Sequence, residues 1–123
     1  MKLKIGLNHL VAFYNYSDRM EIEYITKSQM YTGVKRDFNF VQLSVCFLEW
    51  KLLNRKIKIL IEKKSHITVD KRFLIELTPV QGLMFIMELQ TYLHENKIIM
   101  ETYLLDINTQ IYKELLTLTP TYR

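Results

Sequence analysis

The stretch that decides the fold is FVQLSVCFLEWKLL, Phe40–Leu53. Val41, Leu43, Val45 and Phe47 alternate with Gln42, Ser44 and Cys46, which is the period of a half-buried strand. Val41, Val45, Leu48 and Leu52 would equally line one side of a helix. The β-branched and aromatic content favours the strand over 41–53. The next run reads the same way. In RKIKILIEKK, Ile57, Ile59 and Ile61 point to one side while Lys56, Lys58 and Glu62 point to the other.

The flanking segments extend that sheet. In HITVDKRFLIELT, Ile67, Val69, Phe73, Ile75 and Leu77 share a face that Lys71 interrupts, so a bulge or turn is expected at 70–72. At the N-terminus Leu3, Ile5 and Leu7 alternate with Lys2, Lys4 and Gly6. VAFYNY and MEIEYIT then flank the polar Ser17-Asp18-Arg19, the pattern of a hairpin. Residues 27–39 carry no clean period and read as a loop around Gly33.

A helix follows the sheet. Thr78-Pro79-Val80-Gln81 is a capping box with proline at the first helical position. It opens a helix over 79–94 whose polar residues Gln81, Glu88 and Glu95 form one narrow stripe. A helix apolar on nearly every other side has to be covered twice. The sheet supplies one cover, and the last helix or a second protein chain the other. Met84, Phe85, Met87 and Tyr92 are the candidate interface residues on it, methionine being adaptable to irregular surfaces. Beyond it, Met100, Leu104, Ile107, Ile111, Leu115 and Leu118 recur at spacings of three and four, the pattern of a second amphipathic helix. A strand over 97–105, with Asp106 capping a shorter helix, is the alternative. The expected fold is therefore α+β and a single domain over 1–123. An antiparallel sheet, built of an N-terminal hairpin plus a meander, is packed on one face by one or two C-terminal helices.

The composition, 49% hydrophobic and 24% charged, is that of an ordinary globular chain. No apolar run reaches the roughly 18 residues of a membrane span, so no membrane partner is expected. Asn8, His9 and Asn15 interrupt what would be the apolar centre of a signal peptide, which favours a cytoplasmic protein. Lone Cys46 has no internal disulfide partner and sits among apolar neighbours, the setting of a small buried hydrophobe rather than a reactive thiol. Alanine occurs once while Ile, Lys, Tyr and Leu abound, a bias towards AT-rich codons that suits an AT-rich bacterium, virus or mobile element.

Chemistry-bearing motifs are missing. His9, His66 and His94 lie far apart with no ligand at metal spacing, and the three glycines form no phosphate-binding loop. Glu21 and Glu23 read as two solvated charges. No catalytic residue, metal or cofactor is expected, and the chain does not read as an enzyme. Charge is more informative. Residues 51–72 carry +6 and the rest of the chain −2. Arg55, Lys56, Lys58, Lys63, Lys64, Lys71 and Arg72 would lie with Lys51 on two neighbouring strands and track a phosphate backbone, with Trp50, Tyr14, Tyr16 or Tyr24 stacking bases. The bland counterpart is a solvated sheet face with edge lysines.

The strand-to-capped-helix join resembles the layout of whirly and coactivator-type single-strand DNA binders, over that join alone, and L-T-P-x-Q is a generic helix start. The expected function is a small non-enzymatic protein binding single-stranded nucleic acid through the basic face. The alternative is a protein–protein component, an assembly subunit or viral inhibitor that docks or homo-oligomerises through helix 79–94 or the tyrosine-rich N-terminal hairpin.

Overall fold

A computed structural model describes residues 1–29, 38–62, 71–96 and 102–118. Its elements run β1 (Lys2–Ile5), α1 (Leu7–Gln29), α2 (Phe38–Glu62), β2 (Phe73–Glu76), α3 (Pro79–Asn96) and α4 (Thr102–Leu118). The molecule is mostly helical, and the expected sheet-dominated α+β fold is not what forms. Among the described residues the sheet has two strands, β1 and β2, paired antiparallel with Leu3 opposite Ile75. The alternation at Leu3, Ile5 and at Phe73, Ile75, Leu77 holds, and all five side chains are buried.

The N-terminal hairpin is instead the single helix α1. Leu10, Phe13, Tyr16, Met20 and Tyr24 recur at spacings of three and four and are all buried. Ser17, expected in a turn, sits mid-helix with its hydroxyl shared between the Tyr14 carbonyl and the Asn54 side chain. A hydroxyl aimed at the preceding turn is tolerated in a helix where a second element gives it a partner. The meander over 41–62 is likewise the helix α2. Its inward face is Trp50, Leu53 and Ile57, each fully buried, with Asn54 between them. Ile57, Ile59 and Ile61, read as one strand face, diverge around the helix: Ile57 is buried and Ile59 exposed. Burial against α1 decides here over β propensity, which mostly measures fit to a half-buried pleated surface.

The capping box forms as the sequence indicates. The Gln81 amide donates to Thr78 Oγ1 at 3.1 Å and the Thr78 amide to Gln81 Oε1 at 3.1 Å. The α3 helix that follows lies against α2 and α4. Gly82 permits the approach to α4, since a Cβ there would stand 3.2 Å from Ile111 Cγ2 and closer still to the Met1 methyl. From Thr102 the chain is helical, so the alternative strand is absent at 102–105, while 97–101 lie outside the described residues. Leu104, Ile107, Ile111 and Leu115 form the buried seam of α4, and Leu118 is exposed. Of the loop expected over 27–39, residues 27–29 and 38–39 are instead the ends of α1 and α2, while 30–37, like the expected strand residues 67–70, lie outside the described residues.

The element order is a β-α-α unit followed by a second β-α-α unit. In an antiparallel ladder a local two-fold stands at each pair, and the one at Leu3–Ile75 relates strand positions 72 apart. Buried Leu3, Ile5 and Phe13 match buried Ile75, Leu77 and Phe85, each 72 positions on. Phe13 and Phe85 meet each other edge to face, ring centroids 5.1 Å apart. The packing of α1 on α4 is mirrored by that of α2 on α3. The chain thus repeats its β-α-α element order, with longer helices in the first half than in the second, although its residues carry no sequence repeat.

Candidate interaction surface

The α2 helix presents two apolar faces. Opposite Trp50, Leu53 and Ile57 stand Val41, Val45, Leu48, Leu52 and Ile59, exposed by 53%, 48%, 55%, 50% and 48%. At 100° per residue these five, with Arg55 between the last two, fall in a sector about 80° wide and run about 27 Å along the helix. Spacings of four, three, four and seven are those of a heptad seam. Scattered exposed leucines are ordinary on a protein surface, whereas a contiguous apolar strip is a mark of contact with another molecule.

At its C-terminal end the strip reaches a groove of about 690 Å³ lined by Ile59, Leu60, Leu74, Leu77 and Pro79. Lys56 closes one side of it, its ammonium donating to the Glu76 carbonyl at 3.1 Å and to Gln81 Oε1 at 3.3 Å. A second concavity of about 490 Å³, between α1 and α4, holds Asn8, Asn15, Arg19 and Tyr16 with Tyr92 and Tyr103. Arg19 Nη1 donates there to the Tyr92 hydroxyl at 3.2 Å.

The basic cluster is not a strand face. Arg55, Lys56 and Lys58 lie on α2, so the positive charge runs along a helix. Arg55 and Lys56 are exposed, Arg55 within the apolar strip and Lys56 with its ammonium on the Glu76 carbonyl and Gln81, and Lys58 pairs with Glu62 at 3.9 Å. Lys71 is half-buried and Arg72 is exposed beside Gly6. Lys63 and Lys64 lie outside the described residues. Of the aromatics expected to stack on bases, Trp50, Tyr16 and Tyr24 are buried, and only Tyr14 is partly accessible. Trp50 meets Tyr16 edge to face at 5.3 Å, which makes it a core ring.

The interface residues expected on α3 divide. Met84 and Phe85 are core, Tyr92 is half-buried, and Met87 is exposed together with Val80 and Leu83. Periodicity over 79–94 finds the helix but not which of its apolar residues face out. The strip on α2 carries the stronger signal, and its positions are those of the helical alternative for 41–53. Reading that segment as a strand is what hid it.

Cys46 is half-buried, and burial raises its thiol above the ordinary value, outweighing the opposite effect of the neighbouring Tyr24 hydroxyl. A thiol held protonated is a poor nucleophile. Burial likewise raises Tyr16 and Tyr24, with the Glu88 carboxylate adding to both and accepting the Tyr24 hydroxyl hydrogen. Among the described residues no cluster of His, Cys, Asp and Glu is arranged to hold a metal. No described helix is long and apolar enough to cross a membrane. Comparison with known proteins finds no matching family model, no matching curated protein and no matching solved structure.

Proposed function

We propose that the protein is a non-enzymatic protein–protein interaction subunit of the cytoplasm, docking a helix of its partner along the outward face of α2. The observation that carries this reading is the half-exposed strip Val41–Val45–Leu48–Leu52–Ile59 on a helix whose opposite face is already packed in the core. Heptad spacing selects a helix as the occupant, because side chains at those intervals interdigitate with the ridges of another helix. A lone unpaired cysteine is compatible with a reducing setting.

A nucleic-acid reading retains one support, the excess of +6 over residues 51–72. It draws less from the geometry, since Lys56 and Lys58 are engaged within the chain and the expected stacking rings are mostly buried. A photo-crosslinking residue at position 48 or 52, expressed at native level in the source cells, separates the readings. Docking yields a discrete protein adduct from either position and none from Lys113, which is exposed on α4. Protein adducts absent at both strip positions would overturn the docking reading.

A further inference from the structure

Resting on that reading, we infer that the occupant of the α2 strip is a second copy of this chain, its α2 running antiparallel about a two-fold axis near residue 50. With Arg55 counted, the seam 41–45–48–52–55–59 has spacings of four, three, four, three and four and reads the same in both directions about position 50, so α2 complements itself. Antiparallel pairing sets Val41 against Ile59 of the second copy and Leu48 against Leu52, with Val45 against the stem of Arg55. Parallel pairing would set Arg55 against its own equivalent inside an apolar seam, where two unpaired like charges are costly. Antiparallel pairing holds those two guanidiniums about 15 Å apart along the axis. The charge in the strip therefore chooses the direction.

The area agrees with a reversible dimer. Five half-exposed aliphatic side chains expose on the order of 400 Å² per copy, within the range of functional patches on monomers. Two strips together with the stems of Arg55 and Lys51 approach the low end of specific interfaces, about 1,200 Å². That size is typical of weak and transient partners rather than of obligate ones. Lys51 flanks the strip at the axis and meets its equivalent there, and each copy carries +4 overall. Salt therefore tightens the dimer by screening this repulsion, whereas phosphate binding weakens with salt.

Analytical ultracentrifugation of the full chain over about 1 to 200 μM tests the inference. The wild type is expected to pass from monomer to dimer in that range, with tighter association at about 500 mM than at about 50 mM salt. The Leu48→Glu/Leu52→Glu variant is expected to be monomeric with an unchanged helical circular-dichroism spectrum, its dissociation constant raised at least about a hundredfold. Direction is read by disulfide trapping on a Cys46→Ser background. Leu48→Cys mixed with Leu52→Cys should cross-link at least about tenfold faster than either alone, because those positions face one another. A wild type that stays monomeric at the highest concentration, a glutamate variant that still dimerises, or faster cross-linking of Leu48→Cys alone each overturns the inference. A monomeric wild type whose position 48 cross-links to a different protein refutes self-pairing and leaves the docking reading standing. No adduct from either strip position refutes docking itself.

Discussion

Among the described residues, Tyr16 and Tyr24 have their pKa raised by folding. Both are buried, and desolvation of the phenolate is the first cause of their raised pKa, with the Glu88 carboxylate next. Each leaves an ordinary value of 10.0 in the unfolded chain and is higher in the folded one, so the folded state holds these protons longer. Their contribution is fully present below pH 10 and is lost as pH rises above it. The urea midpoint is therefore expected to be insensitive to these groups up to about pH 9 and to fall steeply above about pH 10, with a smaller fall in the Tyr16→Phe/Tyr24→Phe variant. A midpoint flat to about pH 12 would mean that both hydroxyls ionise inside the folded protein. Tyr16 alone should lose little by the change to phenylalanine, because its buried hydroxyl has no hydrogen-bond partner among the described residues. Nothing in the sequence marks these tyrosines as special among eight. Their environment comes from α2 and α3, which lie far along the chain.

The two faces of α2 divide stability from interaction at the level of the element. Leu53 is fully buried and its neighbour Leu52 is 50% exposed. Leu53→Ala is expected to cost about 2–5 kcal/mol, as large-to-small changes in a packed core do. Leu52→Ala is expected to change the stability of the monomer by less than about 0.5 kcal/mol, as surface changes do. Urea denaturation of the two variants at a concentration below dimerisation checks the contrast. Equal losses would place Leu52 in the core and remove the strip from the surface. Element type was legible where local chemistry is decisive, as in the Thr78–Gln81 box, the α3 helix behind it and the alternation at Leu3 and Ile5. It was illegible over 7–29 and 38–62, where apolar residues recur so densely that periods of 2 and 3.6 both find support. A helix with two apolar faces has a weak amphipathic signature, and aromatic and β-branched residues then pull the reading towards strand. The second apolar face of α2 thus both concealed the helix and marks the candidate site.

For the whole molecule, the same density of apolar residues allowed two β-α-α halves to close around one core without sharing a sequence pattern. At a spacing of 72 positions Leu3, Leu10 and Phe13 stand to Ile75, Gly82 and Phe85, and only the phenylalanines are identical. The joining of the halves lies in the register of β1 on β2 and in helix packing, neither of which a single sequence displays. The halves are joined by more than the strand pair. Phe85 of α3 meets Phe13 and Tyr16 of α1 edge to face, and Tyr16 also meets Trp50 of α2 and Tyr92 of α3. Such pairs contribute about 0.5–1.5 kcal/mol each beyond their burial, so this ring cluster couples the halves energetically. The chain is accordingly expected to unfold in one transition rather than half by half. Trp50 is the sole tryptophan and is fully buried, so its fluorescence reports the interior of the first half, while far-ultraviolet circular dichroism reports all four helices. The two probes should give coincident urea midpoints in the wild type. Phe85→Ala lies in the second half, yet it should lower both midpoints together by the equivalent of about 3–5 kcal/mol. Were Trp50 fluorescence to keep its midpoint while circular dichroism lost amplitude early, the halves would be independent folding units. The aromatic cluster would then be a contact between them rather than their common core.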